Sequence, residues 1–319
     1  MAHIGTDISA AKAFLEAGDV VGMPTETVYG LAGNALNPDA VLRIFSVKNR
    51  PAFDPLIVHT DSLEKVFRYV THLPEPARKL AESVWPGPLT LLLPKRDLVP
   101  DLTTSGLDTV AVRIPNHPLT LALLRSLDFP LAAPSANPFG YISPTTAQHV
   151  ADQLGDQIPY VLDGGPCGIG LESTIIGFEN EQPTVYRLGG MALEQLTALI
   201  GPLTVRDHST SNPKAPGMLS SHYAPRKPVY LLDPHEQPTG MDEQTGALVF
   251  SEPFLGIPIQ NQLVLSPSGN VIEAAKNLFA YLRQLDQMTL TRIYAKRLPN
   301  EGLGRAVNDR LKRASVTTP

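Results

Sequence analysis

One cysteine, Cys167, stands in 319 residues. That excludes an internal disulfide and a cysteine-built metal cluster, and nothing around it offers a lowered thiol pKa, so it reads as a small residue packed in a glycine-rich turn. No stretch approaches the ~20 apolar residues that a membrane span requires, and Met1 to Val20 has no basic region followed by an apolar core. A cytoplasmic protein with no membrane partner is expected. A Gly-x-x-x-x-Gly-Lys-Ser/Thr loop is absent, and Gly164, Gly165, Gly168, Gly170, Gly189 and Gly190 form no dinucleotide fingerprint, so the P-loop route to nucleotides is excluded. A Gly-x-Ser-x-Gly elbow and a paired-His zinc motif are also missing, which weakens hydrolase readings. Nor is positive charge in excess: 26 Lys+Arg face 31 Asp+Glu, with 13 against 21 in residues 1–200 and 13 against 10 in residues 201–319. An RNA-coating first part is disfavoured, because nucleic-acid affinity rests on cationic neutralisation of phosphates.

The length allows two domains and a large core, and 43% hydrophobic with 18% charged is an ordinary globular composition. Short apolar strands alternate with capped helices, which predicts an α/β sheet with polar clusters gathered at strand ends. Asn37-Pro38 reads as an N-cap and first helical residue, and Ser9, Asp61, Ser143 and Ser268 read as further caps. From Gly201 to about Lys227 periodicity fades among Pro202, Pro213, Pro216 and Pro225. A passive linker rarely needs Met218, His222 and Tyr223 together, so a docked loop is expected. Residues 228–319 then read as a small α/β layer. In its long helix Val271, Ala274, Ala275, Leu278, Leu282 and Leu285 fall on one face.

Two stretches carry the chemistry. The apolar run Val20–Met23 stops at Pro24, placing Thr25, Glu26 and Thr27 where a buried strand leaves the sheet. After the following helix come Lys48 and Arg50, spaced i, i+2 before Pro51. That spacing suits an anion better than a salt bridge along the helix, a triphosphate being the obvious candidate, although a solvated helix end explains it too. Ser135-x-Asn137 offers an uncharged hydroxyl and amide after another apolar strand, or an Asx turn. Arg113 interrupts an apolar strand, and a buried guanidinium requires an answering anion, either from a ligand or from an internal Asp or Glu. His59, at a strand end, is a candidate general base or a backbone-bonded histidine.

In this order, the pieces Pro24–Leu31, Lys48-x-Arg50-Pro51, Pro55–His59, Trp85–Thr90, Val110–Pro115, Pro134–Asn137, Glu172–Thr174, Arg187–Gly189, Pro216–Met218 with His222–Pro225, and Glu301–Gly304 with Asp309–Leu311 resemble the threonylcarbamoyl-AMP synthase family in its long form. The resemblance implies a YrdC-like twisted mixed sheet around a large concave cavity in residues 1–200. It also implies a linker and active-site lid in 201–227 and a Rossmann-like α/β domain in 228–319. It further implies that L-threonine, bicarbonate and ATP give threonylcarbamoyl-AMP and pyrophosphate with Mg²⁺, the product being handed to a tRNA threonylcarbamoyltransferase complex, with at most a weak tRNA contact. Lys48, Arg50, Ser135 and Asn137 would surround the phosphates as the catalytic set. Asp54, Thr109, Ser143, Arg187 and His222 would complete the nucleotide site. Thr27, His59, Arg113, Ala133 and Ser173 would hold threonine. Asp54 stands where many relatives carry Asn, so its charge would repel phosphates unless Mg²⁺ or Lys48 offsets it. Leu219-Ser220-Ser221 stand where relatives carry basic or aromatic residues. A hydrogenase-maturation carbamoyltransferase is set aside for want of zinc-finger cysteines, and a non-catalytic RNA-binding module for want of positive charge in the first domain.

Overall fold

The computed structural model describes residues 1–206, 215–218 and 222–316. Among these, eleven strands form one mixed sheet, in the spatial order His3–Gly5, Tyr160–Leu162, Val21–Met23, Gly30–Asn34, Leu131–Ala132, Ile57–His59, Thr109–Arg113, Leu89–Pro94, Thr174–Glu179, Gln182–Arg187 and Thr204–Val205. Leu89–Pro94 is buried along its length except for the final proline, as its unbroken apolar run requires of a central strand. Ile57–His59 lies parallel to Thr109–Arg113 with His59 opposite Arg113, so both polar side chains arrive at the same sheet end.

The helix Pro38–Lys48 shows how the chain aims its cations. Asn37 accepts hydrogen bonds from the amides of Asp39 and Ala40, Pro38 supplies a preset φ, and Asn49 ends the helix in the left-handed region at φ 51°. The helix therefore stops at Lys48, two residues before Arg50, and Lys48 and Arg50 are both buried.

Four caps sit elsewhere than the sequence suggested. Asp7 rather than Ser9 caps Ile8–Glu16, Ser62 rather than Asp61 caps the short helix Leu63–Val66, and Asn270 rather than Ser268 caps Val271–Gln287. Thr146 caps Ala147–Leu154, and Ser143 is freed to donate to Glu172 Oε1 at 2.5 Å. In each case two or more oxygen-bearing residues precede the helix, and backbone entry angle selects among them. His3–Gly5, Gly30–Asn34 and Thr204–Val205 were not legible as strands. They are short or glycine-rich and owe their conformation to their sheet neighbours.

The second sheet has the order Val229–Leu232, Arg292–Lys296, Thr245–Val249, Gln262–Val264, all parallel. The helix Val271–Gln287 buries Ala274, Ala275, Leu278, Leu282 and Leu285, the face its spacing marks. That helix also joins the two sheets. Val28, Ile142 and Leu171 from the first part share one apolar cluster with Leu278, Phe279, Leu282, Val307 and Leu311. Arg283 donates to Ser143 O at 3.2 Å, and Tyr141 donates to Asp286 Oδ2 at 2.6 Å across the same junction.

Candidate active site

At the strand ends lies a narrow cavity of about 50 Å³. Of the residues singled out in the sequence, Thr27, Arg50, His59, Arg113, Ala133, Ser135, Ser173, Arg187 and His222 line it, although they come from segments as far apart as 27 and 222. Pro216, Gly217, His222 and Tyr223 line it as well. Leu219-Ser220-Ser221 lie outside the described residues.

Arg113 ends its strand with the guanidinium answered from within. It lies 2.7 Å from Glu26 Oε1 while donating to Thr27 Oγ1 at 2.9 Å and to Gly87 O at 3.3 Å. Beside it, burial and then the Arg113 charge push the His59 imidazole down to about 3. Its Nδ1 sits 3.1 Å from Ile57 O. A histidine so placed is neutral at ordinary pH and a feeble proton acceptor, which favours hydrogen bonding over general-base work. Thr27 is locked to Thr25, Oγ1 to Oγ1 at 2.7 Å.

Arg187 spans the opposite wall. It donates to Ser173 O at 3.0 and 2.9 Å, to Ser173 Oγ at 3.0 Å and to Pro216 O at 3.4 Å, and Ser173 Oγ also meets Thr90 Oγ1 at 2.7 Å. Burial lowers the guanidinium to about 10, so it stays charged at neutral pH.

Four expected residues touch lining residues without lining the cavity themselves. Lys48 Nζ donates to Ser135 O and Asn137 O, both at 2.5 Å, bracing the Ser135-x-Asn137 turn from behind. Burial and then Arg50 hold its ammonium well below the usual lysine range. Asn137 donates to Pro138 O at 2.9 Å and Tyr141 O at 2.8 Å. Asp54 is fully buried 2.9 Å from the Arg50 guanidinium, so Arg50, rather than Lys48, offsets its charge. Ser143 is spent on Glu172. Thr109 is farther off. It begins the strand that Arg113 ends, and it lines a separate open cleft of about 370 Å³ with Leu92, Phe178 and Tyr186.

Three contributors escaped the sequence reading. Glu26 and Glu172 stood in quoted motifs with no task, and Arg310 stood in a charged terminal helix. Arg310 Nε donates to Glu172 Oε2 at 3.0 Å, and its guanidinium lies 4.9 Å from the Tyr223 ring centre. Burial works to raise the Glu172 carboxyl, but Arg310, Arg187 and Ser143 together hold it below the usual range. Spacing gave little signal: Ala306, Val307, Leu311 and Ala314 mark an apolar face, but Asn308, Asp309, Arg310 and Arg313 are buried as well. Of the charged residues that line the cavity, Arg50, Arg113 and Arg187 outnumber Glu172, leaving a positive hollow suited to a polyanion.

A family model described as "Telomere recombination" (Sua5, YciO, YrdC) matches residues 13–189, and one described as "Threonylcarbamoyl-AMP synthase, C-terminal domain" matches 191–316. The chain belongs to the threonylcarbamoyl-AMP synthase family. It is 41% identical to the threonylcarbamoyl-AMP synthase of Pyrococcus abyssi, covering 97% of this chain and 94% of that one. Identity to the Bacillus subtilis synthase is 38%, over 97% and 92% of the two chains. The crystal structure of P. abyssi Sua5 complexed with L-threonine superposes with a TM-score of 0.88 at 40% identity, covering 97% of this chain and 94% of that one. Both parts of the fold, the mixed sheet and the smaller parallel one, are therefore those of the family.

Proposed function

We propose that this chain is an L-threonylcarbamoyladenylate synthase, a nucleotidyltransferase that forms threonylcarbamoyl-AMP and pyrophosphate from L-threonine, bicarbonate and ATP. The product would serve the N6-threonylcarbamoyladenosine modification of tRNA through hand-off to a tRNA threonylcarbamoyltransferase complex. In this reading residues 1–200 are the catalytic domain, 201–227 the linker and lid, and 228–319 the C-terminal domain. The observation that carries it is the convergence of Arg50, Arg113, Ser135 and Arg187, distant in sequence, on one cavity.

In this reading Arg113, Thr27, His59, Ala133 and Ser173 hold threonine, with Arg113 taking its carboxylate. Arg50, Ser135, Arg187 and His222 face the phosphates, and Lys48 and Asn137 set the backbone of the turn that carries Ser135. Little covalent work falls to the protein. Fixed cations and donors stabilise charge spreading from the α-phosphorus, and orientation supplies the rest. The cover formed by Pro216, Gly217, His222 and Tyr223 would shield a carbamate and a mixed anhydride from water.

Mg²⁺ commonly takes one or two carboxylates and otherwise phosphate and water oxygens. Asp54 does not fit that pattern, because it lies outside the cavity lining with Arg50 2.9 Å away, and the described residues hold no cluster of three or more His, Cys, Asp or Glu side chains for a metal. Mg²⁺ would then be held by phosphate and water oxygens. The deciding experiment is pyrophosphate release with and without threonine and bicarbonate. Release that requires both supports the synthase, and release indifferent to both removes it.

A further inference from the structure

Glu26 has no task in the reaction just described, yet it is poorly accounted for as structure. Both its carboxylate oxygens are buried and neither has an aligned hydrogen bond, although Arg113 NH2 lies 2.7 Å away. The Arg113 ion pair answers Oε1 and leaves Oε2 with no partner, which is costly for a buried carboxylate, so the position suits a bound group that brings donors of its own. An ammonium brings three. The substrate proposed above carries one, two bonds from the carboxylate that Arg113 is placed to receive.

Resting on the synthase reading, we propose that Glu26 is the catalytic base that takes a proton from the threonine ammonium. In the empty site it occupies Arg113. When the substrate carboxylate takes over the guanidinium, Glu26 is left facing the neighbouring ammonium. One N–H bond breaks and its proton passes to Glu26, giving a neutral amine and a carboxylic acid. The nitrogen lone pair then attacks the carbon of bicarbonate and an N–C bond forms; a second N–H proton passes to the bicarbonate hydroxyl, whose C–O bond breaks, and water leaves to yield the carbamate, while Glu26 returns its own proton to solvent. Without that first transfer the nitrogen has no lone pair to offer.

The neighbouring groups are poor substitutes. His59 is neutral, with its Nδ1 at Ile57 O. Lys48 is committed to two carbonyls. The titratable and charged groups facing Glu26 are Arg113 from its strand, His117 ahead of the helix Pro118–Ser126, and Cys167 from the glycine-rich turn. Burial depresses His117 and pushes the Cys167 thiol up to about 12, so Arg113 is the cation that holds Glu26 in place. Its own carbonyl accepts from Ile169 N at 2.8 Å, which anchors the backbone.

The test is Glu26→Gln in the full chain, assayed by threonine-dependent pyrophosphate release across neutral and alkaline pH, with threonine affinity by calorimetry. The amide keeps the shape and cannot take the proton. Expected are a kcat about 100-fold or more below wild type at neutral pH, a threonine affinity within about threefold, and a rate climbing with pH as free threonine loses its proton. Glu26→Asp retains a base set back by one methylene and is expected to be slower with the wild-type pH profile. Unchanged kcat in the Gln variant, or a loss with no alkaline recovery, overturns the proposal. So does a loss confined to threonine affinity, which makes Glu26 an anchor only. Should Gln prevent folding, a pH profile of the Asp variant shifted from wild type overturns it instead. Wild-type protein without threonine-dependent release overturns the synthase reading itself, a distinct result.

Discussion

Arg113 shows what a charged side chain inside an apolar strand requires. Its guanidinium is held by Glu26, Thr27 and the Gly87 carbonyl, so the internal acid anticipated as one of two answers is present. Arg113→Ala is expected to abolish threonine-dependent pyrophosphate release. It should also cost about 3 kcal/mol, because Glu26 is left buried without its partner. Denaturant melts of the variant, and of Arg113→Ala combined with Glu26→Ala, check this: the double variant recovers stability but not activity. His59 supplies a pH dependence with a definite sign. Its folded pKa of about 3 lies below the ordinary 6.5, so between those values the unfolded chain binds the extra proton and stability falls as pH falls. At pH 5 the loss is about 2 kcal/mol relative to neutral pH. Melts of His59→Gln at pH 5 and 7 should show that difference shrink.

The C-terminal helix Gly304–Ala314 is the element that ties the second domain to the site. It places the Arg310 guanidinium 4.9 Å and the Arg313 guanidinium 5.1 Å from the Tyr223 ring centre, on a residue held at φ 67° and stacked on Phe279. Arg313 O also accepts from the His222 amide at 3.2 Å. The cover residues are therefore seated on the second domain rather than on the catalytic sheet alone. Arg310→Met strips Glu172 of its buried partner and Tyr223 of one cation. It is expected to cost about 3 kcal/mol and to loosen the cover. Raised KM for ATP together with earlier denaturant unfolding would check both parts, and an unchanged KM would mean that the cover seats itself without Arg310.

For the molecule taken together, the dimension that matters is the cavity. Its volume is about 50 Å³, whereas small-molecule pockets run from roughly 300 Å³ upward. On the proposed function, ATP and threonine would need more room than Gly217, His222 and Tyr223 leave there. Truncation after residue 200 is expected to remove this cover and with it synthesis or ATP retention. A pyrophosphate-release assay of the truncated chain that returned full activity would make the segment a passive linker.

The pattern of short apolar strands, the turn residues at their ends and the stranded cation at position 113 sufficed to indicate an α/β sheet with an anion site, because periodicity and the cost of buried charge are local properties. The ordered set of motifs indicated the family by resemblance, which neither periodicity nor buried charge supplies. Partnership was not legible. Lys48 bracing a turn near Ser135, Asp54 answered by Arg50, Ser143 drawn to Glu172, Thr109 at the far end of its strand and Arg310 reaching across 138 positions to Glu172 all depend on which side chains the sheet register and the docked helix bring within hydrogen-bonding distance. Those distances are properties of packing, and no spacing along the chain encodes them.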